Sequence, residues 1–160
     1  AVIEAVTLAA GAARWFGDGG RAVGVCALNP HGGDGGVLGS EERIVIAPAI
    51  AALRRRGIRV YGPIPGDVIF HQAIRGTYSA VVAMYHDQGL APLKMIAFDS
   101  GVNITLGLPI IRTSPDHGTA YDIVGKGRAD IGSMSAAIHT ALMLACRPNP
   151  WRRIAGRLHA

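Results

Sequence analysis

Cysteine and aromatic residues are scarce in this chain. Cys26 and Cys146 are its 2 cysteines, and they lie too far apart to form a CxxC pair. The sequence therefore predicts neither a disulfide scaffold nor a zinc ribbon, and we expect both cysteines to be small, buried apolar residues. No apolar run reaches the roughly 18 residues that a membrane span requires, and the first residues do not resemble a secretory signal. These absences predict a cytoplasmic protein with no membrane partner.

Acidic residues are outnumbered by basic ones, which gives a formal net charge of +5. The basic residues are dispersed, apart from the run Arg54 to Arg56 and a C-terminal tail that contains Arg152, Arg153 and Arg157. The run ends a helical pattern just before Gly57, where cations complement the helix dipole. We therefore interpret the run as a solvated helix end, and we expect no nucleic-acid partner.

Glycine is abundant, and the 22 glycines against 6% aromatic residues are more typical of an α/β enzyme than of a helical bundle. Helical patterns cover residues 1 to 16, 40 to 56, 120 to 124 and 133 to 145. Short apolar runs typical of strands cover residues 22 to 28, 58 to 61 and 80 to 85, and further apolar runs follow at 93 to 98 and 102 to 106. The alternation predicts an α/β fold with a mostly parallel sheet and helices on both faces.

The second helical pattern carries signals for its start, a bend and its end. We expect Ser40 to cap it, Pro48 to kink it because proline removes one internal hydrogen bond, and Gly57 to stop it.

Two loops place a histidine just after a predicted buried strand. His31 lies in the glycine-rich loop over residues 29 to 36, and His86 begins the sequence His-Asp-Gln-Gly. In open α/β sheets ligands bind at the carboxyl ends of the strands, and neutral imidazole is a good ligand for divalent metals. Asp67 or Asp87 can complete the set of metal ligands or orient the histidines that bind the metal. The alternative for each histidine is a hydrogen bond within its own loop.

Three polar residues follow at intervals of nine positions in otherwise apolar stretches. Lys94, Asn103 and Arg112 are expected to point into a polar cleft, or else to lie exposed at strand ends. By contrast, His71, His139 and His159 are interpreted as structural or solvated residues. Trp15 and Trp151 are interpreted as packing residues.

Several long segments resemble the C-terminal half of the 4-hydroxythreonine-4-phosphate dehydrogenase (PdxA) family in order and spacing. They are MYHDQG at 84 to 89, GVNITLGLP at 101 to 109, RTSPDHGTA at 112 to 120 and CALNPHGG at 26 to 33, with the loop at 62 to 67 in its expected place. The resemblance implies a fold like that of isocitrate and isopropylmalate dehydrogenases. It also implies that residues 1 to 146 are the C-terminal half of a two-domain enzyme, followed by a basic tail of unknown role at 147 to 160.

The resemblance assigns roles to individual residues. It implies that His31 and His86 bind a divalent metal, which could be zinc, cobalt, nickel, manganese or magnesium, in active sites shared across a homodimer. Substrate contacts would be Lys94, Asn103 and Arg112, and the catalytic residues would be Lys94, Asp67 and Asp87. Lys94 would act either as a point charge for an anionic group or as a proton shuttle.

A cofactor segment is implied by a second likeness. Residues 116 to 127 are similar to the adenine-side loop of isocitrate and isopropylmalate dehydrogenases, which assigns NAD binding to His117, Gly118, Thr119 and Asp122. Without the resemblance, His117 would be interpreted as a cap of the following helix.

The activity implied is the NAD-linked, metal-dependent oxidation of a small anionic substrate, 4-hydroxythreonine 4-phosphate, with loss of carbon dioxide, in pyridoxal phosphate synthesis. Relatives of the family oxidise other four-carbon acid-sugar phosphates or a cyclic cis-diol dicarboxylate, so these substrates remain alternatives. The family's third metal histidine has no match here and is expected upstream of the first residue. A truncated, non-catalytic dimerising module is therefore the remaining alternative.

Overall fold

The computed structural model describes residues 1–151, and these residues group into two units. The first unit is Ala1–Pro92, and the second begins at Leu93. Most of the predicted basic tail, together with His159, lies outside the described residues. Within the described part of the chain, no helix is both long and apolar enough to cross a membrane.

A three-stranded parallel sheet forms the centre of the first unit. Its strands are β1 (Ala22–Cys26), β2 (Val60–Ile64) and β3 (Tyr78–Val82), in the order β2-β1-β3. In the register, Val23 lies opposite both Val60 and Ala80. The central strand β1 is buried along its whole length, as expected of a strand covered on both faces.

Helices cover both faces of this sheet, so the predicted fold class is confirmed. The first unit contains α1 (Val2–Trp15), α2 (Ala47–Arg55), α3 (Gly66–Ile74) and most of α4 (His86–Ala97). The side chains of Val23 and Val25 pack in one apolar cluster with Val6 of α1, Ile50 and Leu53 of α2, and Ile46 just before α2. Gly24 points to the opposite face, where a Cβ atom would lie 3.0 Å from Ile69 of α3.

The segment before α2 differs from the single kinked helix that the sequence predicts. A π-helical turn, Glu42–Ile46, runs directly into α2, so Pro48 lies inside a continuous helical segment that begins at Glu41. The predicted cap position of Ser40 is confirmed, because Ser40 precedes the first helical residue, Glu41, and its carbonyl accepts from the N–H groups of Arg43 and Ile44 at 3.0 and 2.9 Å. The predicted stop is confirmed, since α2 ends at Arg55 and Gly57 adopts a φ of +78°.

The second unit contains a small antiparallel ladder and a long helix. Strand β4 (Val102–Ile104) pairs with β5 (Thr113–Pro115), and α5 (Gly132–Ala145) packs against both. The Ser133 hydroxyl fastens α5 to this ladder, because it donates to the carbonyl of Gly101 at 2.7 Å and accepts from the Asp116 N–H at 3.0 Å.

Two local predictions in this region are wrong. The apolar run 93 to 98 is largely helical, because residues 93 to 97 continue α4. The predicted helix at 120 to 124 is only a 3₁₀ turn, Tyr121–Ile123, which residues in other conformations flank on both sides.

The two cysteines differ in burial, whereas both tryptophans are buried. Cys26 is buried, and burial raises the pKa of its thiol to about 11. The prediction of a buried Cys146 is wrong, because Cys146 caps the C-terminus of α5 and is exposed. At 100° per residue it points away from the buried face that Leu144 marks. Trp15 and Trp151 are 4% and 5% exposed, which confirms their packing role.

Candidate functional site

Three loops of the first unit follow the carboxyl ends of its three parallel strands. The loop after β1 carries His31, the loop after β2 leads to Asp67 in the first turn of α3, and the loop after β3 leads to His86 and Asp87 in the first turn of α4. Because parallel strands end at the same edge of a sheet, these residues lie along one edge, as the sequence predicts.

Gln88 connects two of these loops directly. Its Oε1 atom accepts from the Met84 N–H at 2.7 Å, and its Nε2 atom donates to the carbonyl of Ala27 at 2.8 Å. The same Nε2 atom would lie 3.5 Å from a Cβ atom on Gly66, so the loop after β2 borders it as well. Gln88 appears in the recognised sequence segment, but its positioning role could be found only from the fold.

The loop that carries His31 follows an unusual left-handed path. Residues 31 to 35 all have positive φ, and among them His31 and Asp34 are not glycines, with φ of +52° and +43°. Left-handed backbone costs a residue with a Cβ atom about 1–2 kcal/mol, and such strain persists only where the surroundings hold it in place. The glycines of this loop therefore permit a conformation that places His31 at the edge of the sheet.

Glu42 holds the start of this loop. Its side chain is 7% exposed, and its Oε1 atom accepts from the N–H groups of Leu28 and Asn29 at 2.8 and 2.7 Å. Its Oε2 atom accepts from the Asn29 amide at 3.0 Å. Burial acts to raise the pKa of Glu42, but the hydrogen bonds from Asn29 and Leu28 outweigh it and bring the pKa below the ordinary glutamate value. Nothing in the sequence pattern around Glu42 distinguishes it from an ordinary acidic residue near the start of a helix.

Gly33 lies against this carboxylate, which yields a prediction for the loop. A Cβ atom on Gly33 would lie 2.9 Å from Glu42 Oε2 and 3.0 Å from the carbonyl oxygen of Gly39. Gly35 has a similar left-handed φ, but a Cβ atom there would meet nothing within 4 Å. Gly33→Ala is therefore expected to lower the free energy of unfolding by about 2 kcal/mol more than Gly35→Ala, because only the former adds a clash to the backbone strain.

Urea denaturation of the two variants and the parent chain measures this difference. Since both substitutions impose the same left-handed alanine, equal losses of stability would contradict the contact between Gly33 and Glu42.

The side chains proposed for chemistry at this edge are exposed. They are His31, Asp67, His86 and Asp87. Among residues 1–151, no group of three or more histidine, cysteine, aspartate or glutamate side chains is placed to hold a metal ion. Two imidazoles and nearby carboxylates are nevertheless suitable donors for a divalent transition metal, as part of a ligand set completed by other residues.

The second unit holds the predicted substrate residues. Lys94 is half-buried, and its ammonium donates to the carbonyl of Asp116 at 3.2 Å and lies 5.2 Å from the centre of the Phe98 ring. Asn103 is exposed on β4 and pairs with Ser114 in the ladder.

Arg112, the third of these residues, is also exposed, and it donates to the Thr105 hydroxyl at 2.8 Å. Of the two alternatives drawn from the sequence, surface exposure therefore describes Asn103 and Arg112 in the isolated chain.

A cavity of about 680 Å³ lies beside the predicted cofactor segment. His117 and Thr119 line it, whereas Gly118 and Asp122 do not. A ring nitrogen of His117 bonds to the carbonyl of Gly118 at 2.9 Å. The alternative role for His117 as a helix cap is wrong, because Ala120 occupies the cap position of the 3₁₀ turn.

The other two histidines of residues 1–151 lie on helices, away from these loops. His71 is in the last turn of α3, and it is exposed. His139 lies within α5, where its ring nitrogen bonds to the carbonyl of Ser135 at 2.9 Å.

The structure is therefore that of an α/β protein in which histidine and aspartate side chains lie at the carboxyl ends of the parallel strands. The family described as "Pyridoxal phosphate biosynthetic protein PdxA" matches residues 1–141, and the chain belongs to this family. The resemblance drawn from the sequence is therefore confirmed.

Individual relatives agree with this assignment. The chain is 61% identical over 123 residues to a 4-hydroxythreonine-4-phosphate dehydrogenase of Geobacter metallireducens, an alignment that covers 77% of this chain and 36% of the relative. It is 51% identical over 151 residues to the enzyme of the same name from Beijerinckia indica, covering 94% of this chain and 44% of that relative. The chain thus spans less than half the length of these relatives.

Solved structures show the same fold. The crystal structure of 4-hydroxythreonine-4-phosphate dehydrogenase from Klebsiella pneumoniae matches with a TM-score of 0.75 and 47% identity, covering 88% of this chain and 44% of that one. A terephthalate 1,2-cis-dihydrodiol dehydrogenase from Burkholderia xenovorans matches with a TM-score of 0.60 and 30% identity, covering 89% and 43%.

Proposed function

We propose that this chain is part of a cytoplasmic, NAD-linked and metal-dependent dehydrogenase that oxidises 4-hydroxythreonine 4-phosphate, with decarboxylation, in pyridoxal phosphate synthesis. The observation that carries the proposal is the convergence of three loops, bearing His31, Asp67 and His86, at the carboxyl edge of the parallel sheet. The 61% identity to a relative named for this activity supports the choice of substrate.

His31 and His86 are the metal ligands in this proposal. Both side chains are exposed at the edge of the sheet. Hydrogen bonds from Asn29 to the Glu42 carboxylate, and from the Gln88 side chain to Ala27, hold the loops that carry them. A divalent ion bound there would supply Lewis-acid polarisation of the substrate's hydroxyl group. The exposed Asp67 and Asp87 are suited to orient the ligands and to accept a proton from the substrate.

Lys94, Asn103 and Arg112 are proposed to bind the anionic and polar groups of the substrate. The planar guanidinium of Arg112 suits bidentate binding of a carboxylate or phosphate group, and the amide of Asn103 suits a hydroxyl group. Lys94 provides a compact positive charge, and its proximity to the Asp116 carbonyl and the Phe98 ring holds the ammonium in place. A role for Lys94 as proton shuttle remains the alternative.

NAD is the proposed redox cofactor, and the cavity in the second unit supports its location. At about 680 Å³ the cavity lies within the range of small-molecule sites, and His117 and Thr119 border it. Gly118 and Asp122 would contact the cofactor from the same loop. The nicotinamide would accept the hydride, while the protein binds and orients both reactants.

A homodimer with shared active sites is also part of the proposal. Val37, Ile44 and Val45 are 81%, 59% and 50% exposed in the first unit, and such apolar side chains favour burial against a second protein surface. The only other partner proposed is the small anionic substrate, and neither nucleic acid nor membrane is included.

Reduction of NAD, followed by absorbance, tests the activity with the protein that contains this chain at its full length. We expect turnover of 4-hydroxythreonine 4-phosphate that is lost on chelation and restored by a divalent metal, with zinc, cobalt, nickel, manganese and magnesium compared. Sedimentation of the same sample tests the dimer. Absence of turnover with every metal would favour the non-catalytic dimerising module.

A parallel assay distinguishes the alternative substrates. The match to a terephthalate 1,2-cis-dihydrodiol dehydrogenase makes the cis-dihydrodiol of terephthalate the first competitor to test, followed by other four-carbon acid-sugar phosphates. We expect the largest kcat/KM with 4-hydroxythreonine 4-phosphate. A larger kcat/KM with the cis-dihydrodiol would replace the proposed substrate while leaving the proposed reaction class intact.

A further inference from the structure

A second cavity, of about 430 Å³, lies at the amino edge of the parallel sheet in the first unit. Arg21 and Val23 line it where β1 begins, Ile58 and Arg59 line it just before β2, and Ser79 lines it near the start of β3. The cavity is therefore built at the strand ends opposite to those that carry His31 and His86.

Four arginines surround this cavity, which makes it strongly basic. They are Arg14, Arg21, Arg56 and Arg59. Asp18 forms an ion pair with Arg21, so one of these charges is already matched within the chain. Three guanidinium groups remain without an acidic neighbour among the residues that line the cavity.

The negative ends of nearby helix dipoles offset only part of this positive charge. The C-termini of α1, α2 and α3 lie at the amino edge, because each helix runs antiparallel to the strands that it connects. Only the ends of α1 and α2 lie beside residues that line the cavity, and each carries about half a negative charge, so together they offset about 1 of the unpaired positive charges. A net positive charge of about 2 therefore remains around the cavity, which favours an anionic occupant.

Hydrogen-bond donors in the cavity are also available. Arg59 donates to the carbonyl of Gly19 at 3.3 Å, a long contact that engages only one of its donors. Within residues 1–151, neither Arg14 nor Arg56 has a hydrogen bond or an ion pair from its side chain. Guanidinium groups in this state are suited to bidentate binding of phosphate oxygens.

We infer that the amino-edge cavity binds a phosphorylated small molecule through Arg14, Arg56 and Arg59. The site is distinct from the proposed catalytic edge, because the five-residue strands separate the two edges by roughly 16 Å. At about 430 Å³ the cavity has room for more than a single phosphate group.

Pyrophosphate is the probe for this site, with binding measured by calorimetry at low ionic strength. We expect the double variant Arg14→Gln/Arg56→Gln to weaken binding about tenfold or more, since it removes two charged donors from the cavity. Arg55→Gln/Arg75→Gln is the matched control, because it removes the same charge from exposed positions that do not line the cavity. The control is expected to retain binding within about twofold, because exposed charges outside the cavity are screened by solvent and make no direct contact with the ligand.

Amide chemical shifts of the unmodified chain give a second measurement that needs no variant. We expect pyrophosphate to shift the resonances of residues 19 to 21 and 57 to 59. Equal weakening in the cavity and control variants, no binding at all, or shifts confined to the substrate residues at 103 to 112 would each overturn the inference. None of these outcomes depends on the dehydrogenase activity, so this site and the proposed function are tested separately.

Discussion

His86→Ala is expected to lower kcat of the metal-dependent reaction by about 100-fold or more in the full-length protein. The imidazole is one of the two proposed metal ligands in this chain, so its loss removes half of the histidine donors proposed here. Perturbing even the residues around a metal ligand commonly costs 10- to 100-fold, so removing the ligand itself should cost at least as much. Steady-state NAD reduction at saturating substrate measures the change.

His71→Ala is the matched control for this experiment. His71 is also an exposed histidine of the first unit, but it lies in the last turn of α3, at the opposite end of that helix from Asp67. We expect its replacement to leave kcat unchanged. Competition with a chromogenic chelator should show weaker metal binding for His86→Ala alone. Wild-type metal affinity in His86→Ala would remove His86 from the ligand set.

Glu42→Ala is expected to lower the free energy of unfolding of this chain by about 3 kcal/mol. The substitution leaves the part-buried N–H groups of Leu28 and Asn29 without their acceptor, and each unsatisfied donor costs towards the lower end of about 1–3 kcal/mol. Glu41→Ala is the control: Glu41 accepts from the Asn29 side chain but not from the N–H groups of Leu28 and Asn29, and we expect a much smaller loss. Urea denaturation at neutral pH measures both variants.

The contribution of Glu42 should depend on pH in a fixed direction. Its pKa is lower in the folded chain than in the unfolded chain, so the charged carboxylate stabilises the fold above the unfolded pKa. That contribution is lost as pH falls through the folded pKa. The difference in stability between the parent chain and Glu42→Ala should therefore shrink as the pH is lowered below about 4. A difference that stays constant would contradict the role of the ionised carboxylate.

The parts of the fold that sequence patterns predicted are those in which local signals and burial agree. Strand β1 lies within its predicted apolar run, and α1 and α5 follow helical periodicity. Strand β2 begins two residues after its predicted run and β3 two residues before, so each overlaps the prediction only in part. Residues 93 to 97 are apolar and equally compatible with a strand. Their helical state depends on their continuity with the turn that begins at His86, which a short apolar window does not reveal.

Some residues of the candidate site could be identified from the sequence, and others only from the fold. His31, Asp67 and His86 were found because each follows a strand, and parallel strands place their ends at one edge. Glu42 and Gln88 were missed, because their roles depend on contacts with residues 13 and 61 positions away. No sequence spacing encodes such contacts, and only the folded loops bring these groups together.

The hydrogen bonds made by the Glu42 and Gln88 side chains also determine how some backbone N–H groups exchange with solvent. The N–H groups of Leu28, Asn29 and Met84 are held by carboxylate or amide side chains, and not by the ladder between strands. Their exchange with deuterated solvent therefore reports the opening of the loops that carry His31 and His86, while the β1 amides report the opening of the sheet. Comparing the exchange rates of these two sets of amides therefore separates motion at the proposed metal site from unfolding of the core.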